Sequence, residues 1–222
     1  GQCTKQCHRV QYTFIALTLI TVFMGSMLAY KEKILKRRLA YSTVSQVSYI
    51  LFGAALMHPV ALFGALAHVI YHSIMKNGLF LSAGSIIYKT GKTKVDELKG
   101  IGKQMPVTMW CFTLLSISMV GIPPFCGFFS KKDLCLGALA SDIPFVRFAG
   151  PIILLISALL TAGYLLTLSF EAFYKEPEEK KIREANAWIF VPLVLLATAT
   201  VVFGIYTAGL DNILTNVVNA IF

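Results

Sequence analysis

The chain has 222 residues, of which 56% are hydrophobic and only 14% carry a charge, and its mean hydropathy is +0.70. A soluble domain carries about 25% charged residues, so this composition excludes an ordinary soluble domain and indicates a lipid bilayer as the solvent. The net charge is +9, but the basic residues are concentrated between apolar stretches. That distribution is typical of loops at a membrane surface and offers no extended basic face to a nucleic acid.

Three apolar stretches open the chain, at residues 11–30, 41–57 and 59–88. A transmembrane helix needs about 20 predominantly apolar residues, so each stretch predicts a membrane span. The second stretch also carries a polar stripe that includes Gln46. A fourth span is predicted from residue 106 to near residue 121.

The segment 121–140 begins with Gly-Ile-Pro-Pro and contains charged residues, so it cannot form an unbroken helix facing lipid. Non-helical backbone at membrane depth survives only where it is buried in protein or lines water. A discontinuous helix is therefore predicted here, followed by spans at 148–174 and about 188–206. The tail, 209–222, is predicted to be an amphipathic or interfacial segment.

These elements predict an all-α fold, a polytopic transmembrane bundle of five to six spans that forms one integral membrane domain over residues 1–222. The basic loops 31–38 and 89–103 are separated by two spans, so they lie on the same face of the membrane. Because Lys and Arg are enriched in cytoplasmic loops, both loops are predicted to be cytoplasmic.

The cysteines supply no disulfide framework and no zinc site, because they are odd in number and contain no Cys-x-x-Cys pair. They are Cys3, Cys7, Cys111, Cys126 and Cys135. The chain begins with Gly1 and shows no signal peptide. We expect it to begin partway through a longer gene product.

Three ionisable side chains, His68, His72 and Lys76, lie inside the third predicted span. They recur at i, i+4 and i+8, so they share one helical face. An ionisable side chain at bilayer depth costs about 2.5–3.5 kcal/mol on insertion scales, and such residues mark ion and proton pathways. Neighbours on this stripe lie about 5–6 Å apart, a spacing that water can bridge. Proton movement is therefore the first hypothesis.

Each candidate residue also has a simpler interpretation. The two histidines could hydrogen-bond between helices, or could ligate a haem or a metal, since a spacing of i, i+4 suits both. Lys36 could be a topogenic positive charge, and Lys131 could extend to the membrane surface. No further His, Cys or acidic ligand lies on the histidine run, and no cofactor or metal is assigned.

Three motifs in order resemble one family, the antiporter-like, proton-conducting membrane subunits. They are Lys36-Arg37-Arg38-Leu39-Ala40-Tyr41-Ser42-Thr43-Val44-Ser45-Gln46, His68-x-x-x-His72-x-x-x-Lys76-x-x-Leu79-Phe80-Leu81, and Gly121-Ile122-Pro123-Pro124 followed by Gly127-Phe128-Phe129-Ser130-Lys131. The family includes subunit 5 of NADH–quinone oxidoreductase, its relatives in membrane-bound hydrogenases and formate hydrogenlyase, and multisubunit cation/proton antiporters. The resemblance assigns a proton relay to Lys36, His68, His72, Lys76 and Lys131.

Two departures from the family pattern stand out. Lys132 lies where an acidic residue often follows the lysine, and Asp133 would take that role one position later. Family members also contain two inverted repeats, and nothing before residue 11 supplies the paired Glu and Lys of the first repeat. This chain therefore resembles the second half of a complete subunit, and we expect that it cannot complete a transmembrane path alone.

The resemblance implies a proton-translocating or cation/proton-exchanging subunit, itself without redox chemistry, in a redox-driven complex such as NADH–quinone oxidoreductase or a membrane-bound hydrogenase. The expected location is a prokaryotic cytoplasmic membrane. The expected partners are other membrane subunits, the lipid bilayer, protons and, in an exchanger, Na⁺. Two alternatives stay open: a non-conducting structural anchor of such a complex, and a haem-binding electron carrier that uses His68 and His72.

Overall fold

The computed structural model describes residues 2–176, 184 and 186–222, with side chains from residue 8 onward. The predicted all-α fold is confirmed over these residues. The helices are α1 (Gln2–Lys31), α2 (Leu35–Ala55), α3 (Pro59–Thr90), a 3₁₀ turn (Val95–Leu98), α4 (Ile101–Gln104), α5 (Pro106–Val120), α6 (Cys126–Leu139), α7 (Pro144–Tyr174), α8 (Ala187–Ile205) and α9 (Ala208–Asn219). The side chains of Cys3 and Cys7 lie outside the described part, and the other three cysteines are free thiols.

Three described helices are long and apolar enough to cross a membrane: α1 from His8 to Lys31, α7 and α8. The outer faces of α7 and α8 expose large apolar side chains such as Leu159 and Leu195, which suit contact with lipid. Helix α5 is apolar but has only 15 residues, while α2 and α3, with 21 and 32 residues, bury polar side chains. The fold is a helical membrane bundle, and the count of five to six spans stays a prediction.

The two basic loops lie side by side at one end of the bundle, here called the basic end. Ile34 and Lys94 form an isolated antiparallel bridge between the loops. Leu35 N–H donates to the carbonyl of Thr93 at 3.0 Å, and Val95 N–H donates to the carbonyl of Lys33 at 2.9 Å. The α2–α3 and α6–α7 turns lie at the other end, here called the opposite end.

Small residues let α3 and α6 pack closely at the centre of the bundle. A Cβ added at Gly64 on α3 would lie 2.8 Å from the backbone nitrogen of Leu134 on α6. One added at Gly137 on α6 would lie 2.5 Å from the Cβ of Ala61 on α3. This close approach brings the ionisable face of α3 against the first turns of α6.

Three buried serines join the outer helices α1, α2 and α7. The hydroxyl of Ser26 lies 2.8 Å from that of Ser45 and 2.6 Å from that of Ser157, and the Ser45 and Ser157 hydroxyls are 3.2 Å apart. Hydroxyl side chains commonly hydrogen-bond between helices in membranes. The cluster fixes α2, whose polar stripe faces α3.

The predicted discontinuous helix is confirmed as a break between α5 and α6. Helix α5 ends at Val120, Gly121 follows with a left-handed φ of +93°, and α6 begins at Cys126. Only glycine adopts that φ at no steric cost, so Gly121 ends the helix where an ordinary residue would be strained. The backbone at this break lies within the bundle, because Gly204 of α8 packs directly on it.

The tail differs from its prediction as an interfacial segment. Helix α9 packs along α3 and buries Leu214 and Val218. The gap between α8 and α9 directly follows Gly204, at which an added Cβ would come 2.0 Å from the carbonyl oxygen of Pro124. The bundle thus contains two interrupted helices whose breaks meet. The apolar spacing of the tail indicated amphipathicity, but a protein surface rather than lipid covers its apolar side.

Candidate functional site

Four of the five predicted site residues converge inside the bundle. His68, His72 and Lys76 lie on one face of α3, and Lys131 reaches them from α6. Their exposed fractions are 0%, 8%, 6% and 8% respectively. Together they form a buried file of titratable nitrogens, here called the axis.

His68 is held by a hydrogen bond at each ring nitrogen. Its Nδ1 lies 2.8 Å from the hydroxyl of Ser130, and its Nε2 lies 3.1 Å from Oε1 of Gln46. An amide oxygen can only accept, so the Nε2 of a neutral His68 carries the proton, and its Nδ1 accepts from Ser130. The Tyr49 ring stacks on the imidazole with centroids 5.7 Å apart. These contacts fix both the orientation and the tautomer of His68.

His72 continues the file toward Lys76. Its ring stacks on that of His68 with centroids 5.9 Å apart. Its Nε2 is buried without a hydrogen-bond partner among the described residues, as is Nε2 of Gln46. An unsatisfied buried polar atom costs about 1–3 kcal/mol, and buried water commonly satisfies such groups. The axis therefore offers two hydrogen-bonding atoms to water.

Lys76 is bound by the neutral oxygens of α2. Its Nζ donates to the carbonyl of Leu39 at 2.8 Å and to the hydroxyl of Ser42. The ring of Phe80 lies 5.9 Å from Nζ, within range of a cation–π contact. The ammonium is thus satisfied without a carboxylate.

Lys131 is placed by the break between α5 and α6. Its Nζ donates to the carbonyls of Met119 at 2.6 Å and Val120 at 3.2 Å, and it lies 5.3 Å from the centroid of the Tyr49 ring. The last carbonyls of a helix have no partner within the helix and favour a nearby cation. Interrupting the helix at membrane depth therefore creates the binding site for this lysine.

Asp133 does not stand beside Lys131 as its acidic partner. Its carboxylate lies 3.4 Å from Nζ of Lys132, so these two adjacent residues pair with each other. Among the described residues neither Lys76 nor Lys131 forms an ion pair. Neutral oxygens and aromatic rings alone surround both ammonium groups.

Lys36 lies apart from the other four. It is exposed on the first turn of α2, at the basic end. Its neighbour Arg38 turns inward, where Nε donates to the carbonyl of Glu32 at 2.8 Å and Nη1 to that of Tyr164 at 3.1 Å. Two backbone N–H groups, those of Ile34 first and of Lys33, lower the pKa of the Glu32 carboxyl. Lys36 thus sits on a well-fixed loop outside the buried file.

Four contacting side chains were absent from the predicted site: Ser42, Gln46, Tyr49 and Ser130. The first three recur at i, i+4 and i+7 on α2, the spacing of one helical face. That periodicity could have found them as a buried stripe. It could not have shown that the stripe faces the histidines.

The transmembrane model of the NADH:quinone oxidoreductase/Mrp antiporter family matches residues 3–161. The chain belongs to this family. It is 38% identical over 212 residues to NADH-quinone oxidoreductase subunit N of Desulforudis audaxviator, covering 89% of this chain and 41% of that protein. It is 30% identical over 206 residues to a Na⁺/H⁺ antiporter protein of Bacillus subtilis, covering 92% and 40%. The chain thus spans about two fifths of these relatives.

Solved structures share the fold. The Mrp complex from Dietzia sp. DQ12-45-1b contains a chain with a TM-score of 0.86 at 23% identity, covering 95% of this chain and 47% of that one. Respiratory complex I from Thermus thermophilus contains one with a TM-score of 0.84 at 22% identity, covering 96% and 44%. The family drawn from the three sequence motifs is confirmed, and the membrane location with it.

Proposed function

We propose that this chain is the proton-conducting part of a membrane subunit in a multisubunit complex driven by redox chemistry or by cation exchange. The observation that supports it most is the axis itself. Four groups that can gain and lose protons are buried in one file, and none of them forms an ion pair among the described residues. A charge paired with a carboxylate would be fixed, whereas these protons are held by neutral partners and can move.

The geometry gives each group a role in the relay. Lys131 interacts electrostatically with His68, His72 and Lys76, so the four sites sense each other's charge. Like charges close together repel, and a proton that arrives at one site therefore favours departure from the next. His68 and His72 carry protons between Ser130 and Lys76. Lys36, exposed at the basic end, exchanges protons with the water there.

The partners and orientation follow from the relatives. The named relatives belong to an NADH-quinone oxidoreductase and to a Na⁺/H⁺ antiporter, and another is subunit N of the F₄₂₀H₂ dehydrogenase of Methanosarcina mazei. We infer that this chain is the second half of such a subunit and moves protons, or exchanges Na⁺ for them, beside other membrane subunits. The basic end faces the cytoplasm of a prokaryotic cell, in keeping with its Lys and Arg residues.

The haem alternative conflicts with the contacts of His68. Both of its ring nitrogens are engaged, with Ser130 and Gln46, and a haem iron would have to displace one of them. Purified protein with a Soret absorption band would support haem and contradict the relay. The alternative of a non-conducting anchor requires no buried titratable groups and leaves the axis without a purpose.

Replacing Lys76 by Ala separates a conductor from an anchor. In membrane vesicles holding the intact complex, Lys76→Ala is expected to lower proton transport at least about tenfold, because the axis loses the group that binds α2. Lys33→Ala, which removes an exposed lysine at the basic end, is the control and should leave transport near the parental rate. Parental transport by Lys76→Ala, with the complex assembled, would contradict the proposed function.

A further inference from the structure

Two polar cavities lie between α3, α6 and α9 and lead from the opposite end toward the axis. The outer cavity, about 280 Å³, reaches Pro59 at the start of α3 and Asn219 at the end of α9. The inner cavity, about 180 Å³, reaches Ser130. Phe63 and Asp133 line both cavities, so the two adjoin. We call the pair the vestibule.

The inner cavity approaches the axis to within one hydroxyl group. Ser130 is fully buried, and its Oγ lies 2.8 Å from Nδ1 of His68. That nitrogen is the acceptor of the neutral imidazole, because Gln46 fixes the proton on Nε2. A proton that reaches Ser130 therefore has a free lone pair to move to.

Charged groups line the inner cavity on two of its walls. Helix α6 contributes Lys132 and Asp133, which pair at 3.4 Å. Helix α9 contributes Asp211, and Thr207 directly precedes that helix. Asp211 is partly buried in the first turn of α9, and the break after Gly204 places that turn at the depth of the α5–α6 break. A carboxylate on the last helix is thereby held inside the bundle, facing the entry to the axis.

We propose that the vestibule is the route by which protons pass between the axis and the opposite end, and that Asp211 is its proton-exchanging residue. In the inward direction a proton from Asp211, or from water bound to it, adds to Oγ of Ser130 as the proton of Ser130 moves to Nδ1 of His68. The imidazole becomes an imidazolium, and Asp211 takes its next proton from water. The outward step is the reverse. This inference rests on the proposed function.

The test is Asp211→Asn, which keeps the shape of the side chain and removes its proton exchange. In vesicles holding the intact complex, proton transport is expected to fall at least about tenfold. Asp211→Glu should restore most of it, which a purely structural role for the aspartate would not predict. Asp142→Asn, at the same end but outside the vestibule, is the matched control and should keep the parental rate.

Water access gives a second, independent measurement. Thr207→Cys should react with a charged, water-soluble thiol reagent, and the reaction should block transport, whereas modified Ser73→Cys on the outer face of α3 should not block it. Parental transport by Asp211→Asn, or an unreactive Cys at position 207, would overturn the vestibule. If Lys76→Ala abolishes transport in the same vesicles, the proposed function stands even when the vestibule fails.

Discussion

At the scale of single residues, the site works because buried polar atoms have specific neutral partners. Gln46 is the clearest case, since it is fully buried on α2 and its Oε1 accepts from the imidazole of His68. The hydrogen bond decides which nitrogen of His68 is free to accept a proton from Ser130. A residue outside the predicted relay thus controls the direction in which His68 can exchange protons.

Gln46→Leu is expected to destabilise the protein by about 1–3 kcal/mol, because it leaves Nε2–H of His68 buried without a partner. It should also slow proton transport, since the tautomer of His68 is no longer fixed. Ser116→Ala removes a fully buried hydroxyl that bonds within its own helix, and it should change neither property appreciably. Thermal unfolding in detergent and transport in vesicles measure the two effects. Equal behaviour of both variants would contradict the role of Gln46.

Three axis residues could be placed on a shared face from the sequence, because helical spacing is a local property. His68, His72 and Lys76 lie on one side of α3 whatever surrounds that helix. Which residues lie across from them depends on packing between helices distant in the chain. Ser130 is separated from His68 by 62 residues, and no periodicity connects them.

At the scale of helices, two interruptions organise the bundle. The break after α5 frees the carbonyls that bind Lys131, and the break after α8 turns α9 toward the vestibule. The first was predictable, since Gly-Ile-Pro-Pro and charged residues cannot continue a lipid-facing helix. The second was not, because a loss of apolar character at residue 206 is equally typical of a span that ends at the membrane surface.

Gly127→Ala tests the close contact at the first break. A Cβ at position 127 would lie 1.9 Å from the carbonyl oxygen of Ser118, so the methyl group must displace α6 from α5. Overpacking of this kind typically costs about 1–3 kcal/mol or more, and the melting temperature should fall. Gly84→Ala is the control, since nothing lies within 4 Å of its added Cβ and alanine favours a helix. A melting temperature for Gly127→Ala equal to that of the Gly84→Ala control would show that the breaks are not packed as described.

At the scale of the whole molecule, the axis lies between two ends of different character. The basic end joins its loops through the bridge of Ile34 and Lys94, and the opposite end opens into the vestibule. Lys76 is bound on the α2 side of this axis, and Ser130 lies on the α6 side. The described residues therefore form one polar route through a bundle that otherwise presents apolar side chains outward.

The most direct measurement is proton transport by Lys76→Arg in vesicles that hold the assembled complex. Arginine keeps the positive charge, hydrogen-bonding capacity and length of the side chain, but its guanidinium does not release a proton in proteins. If Lys76 passes protons along the axis, Lys76→Arg should be as deficient as Lys76→Ala. Parental transport by Lys76→Arg would show that only a positive charge is needed at this position and would contradict the relay.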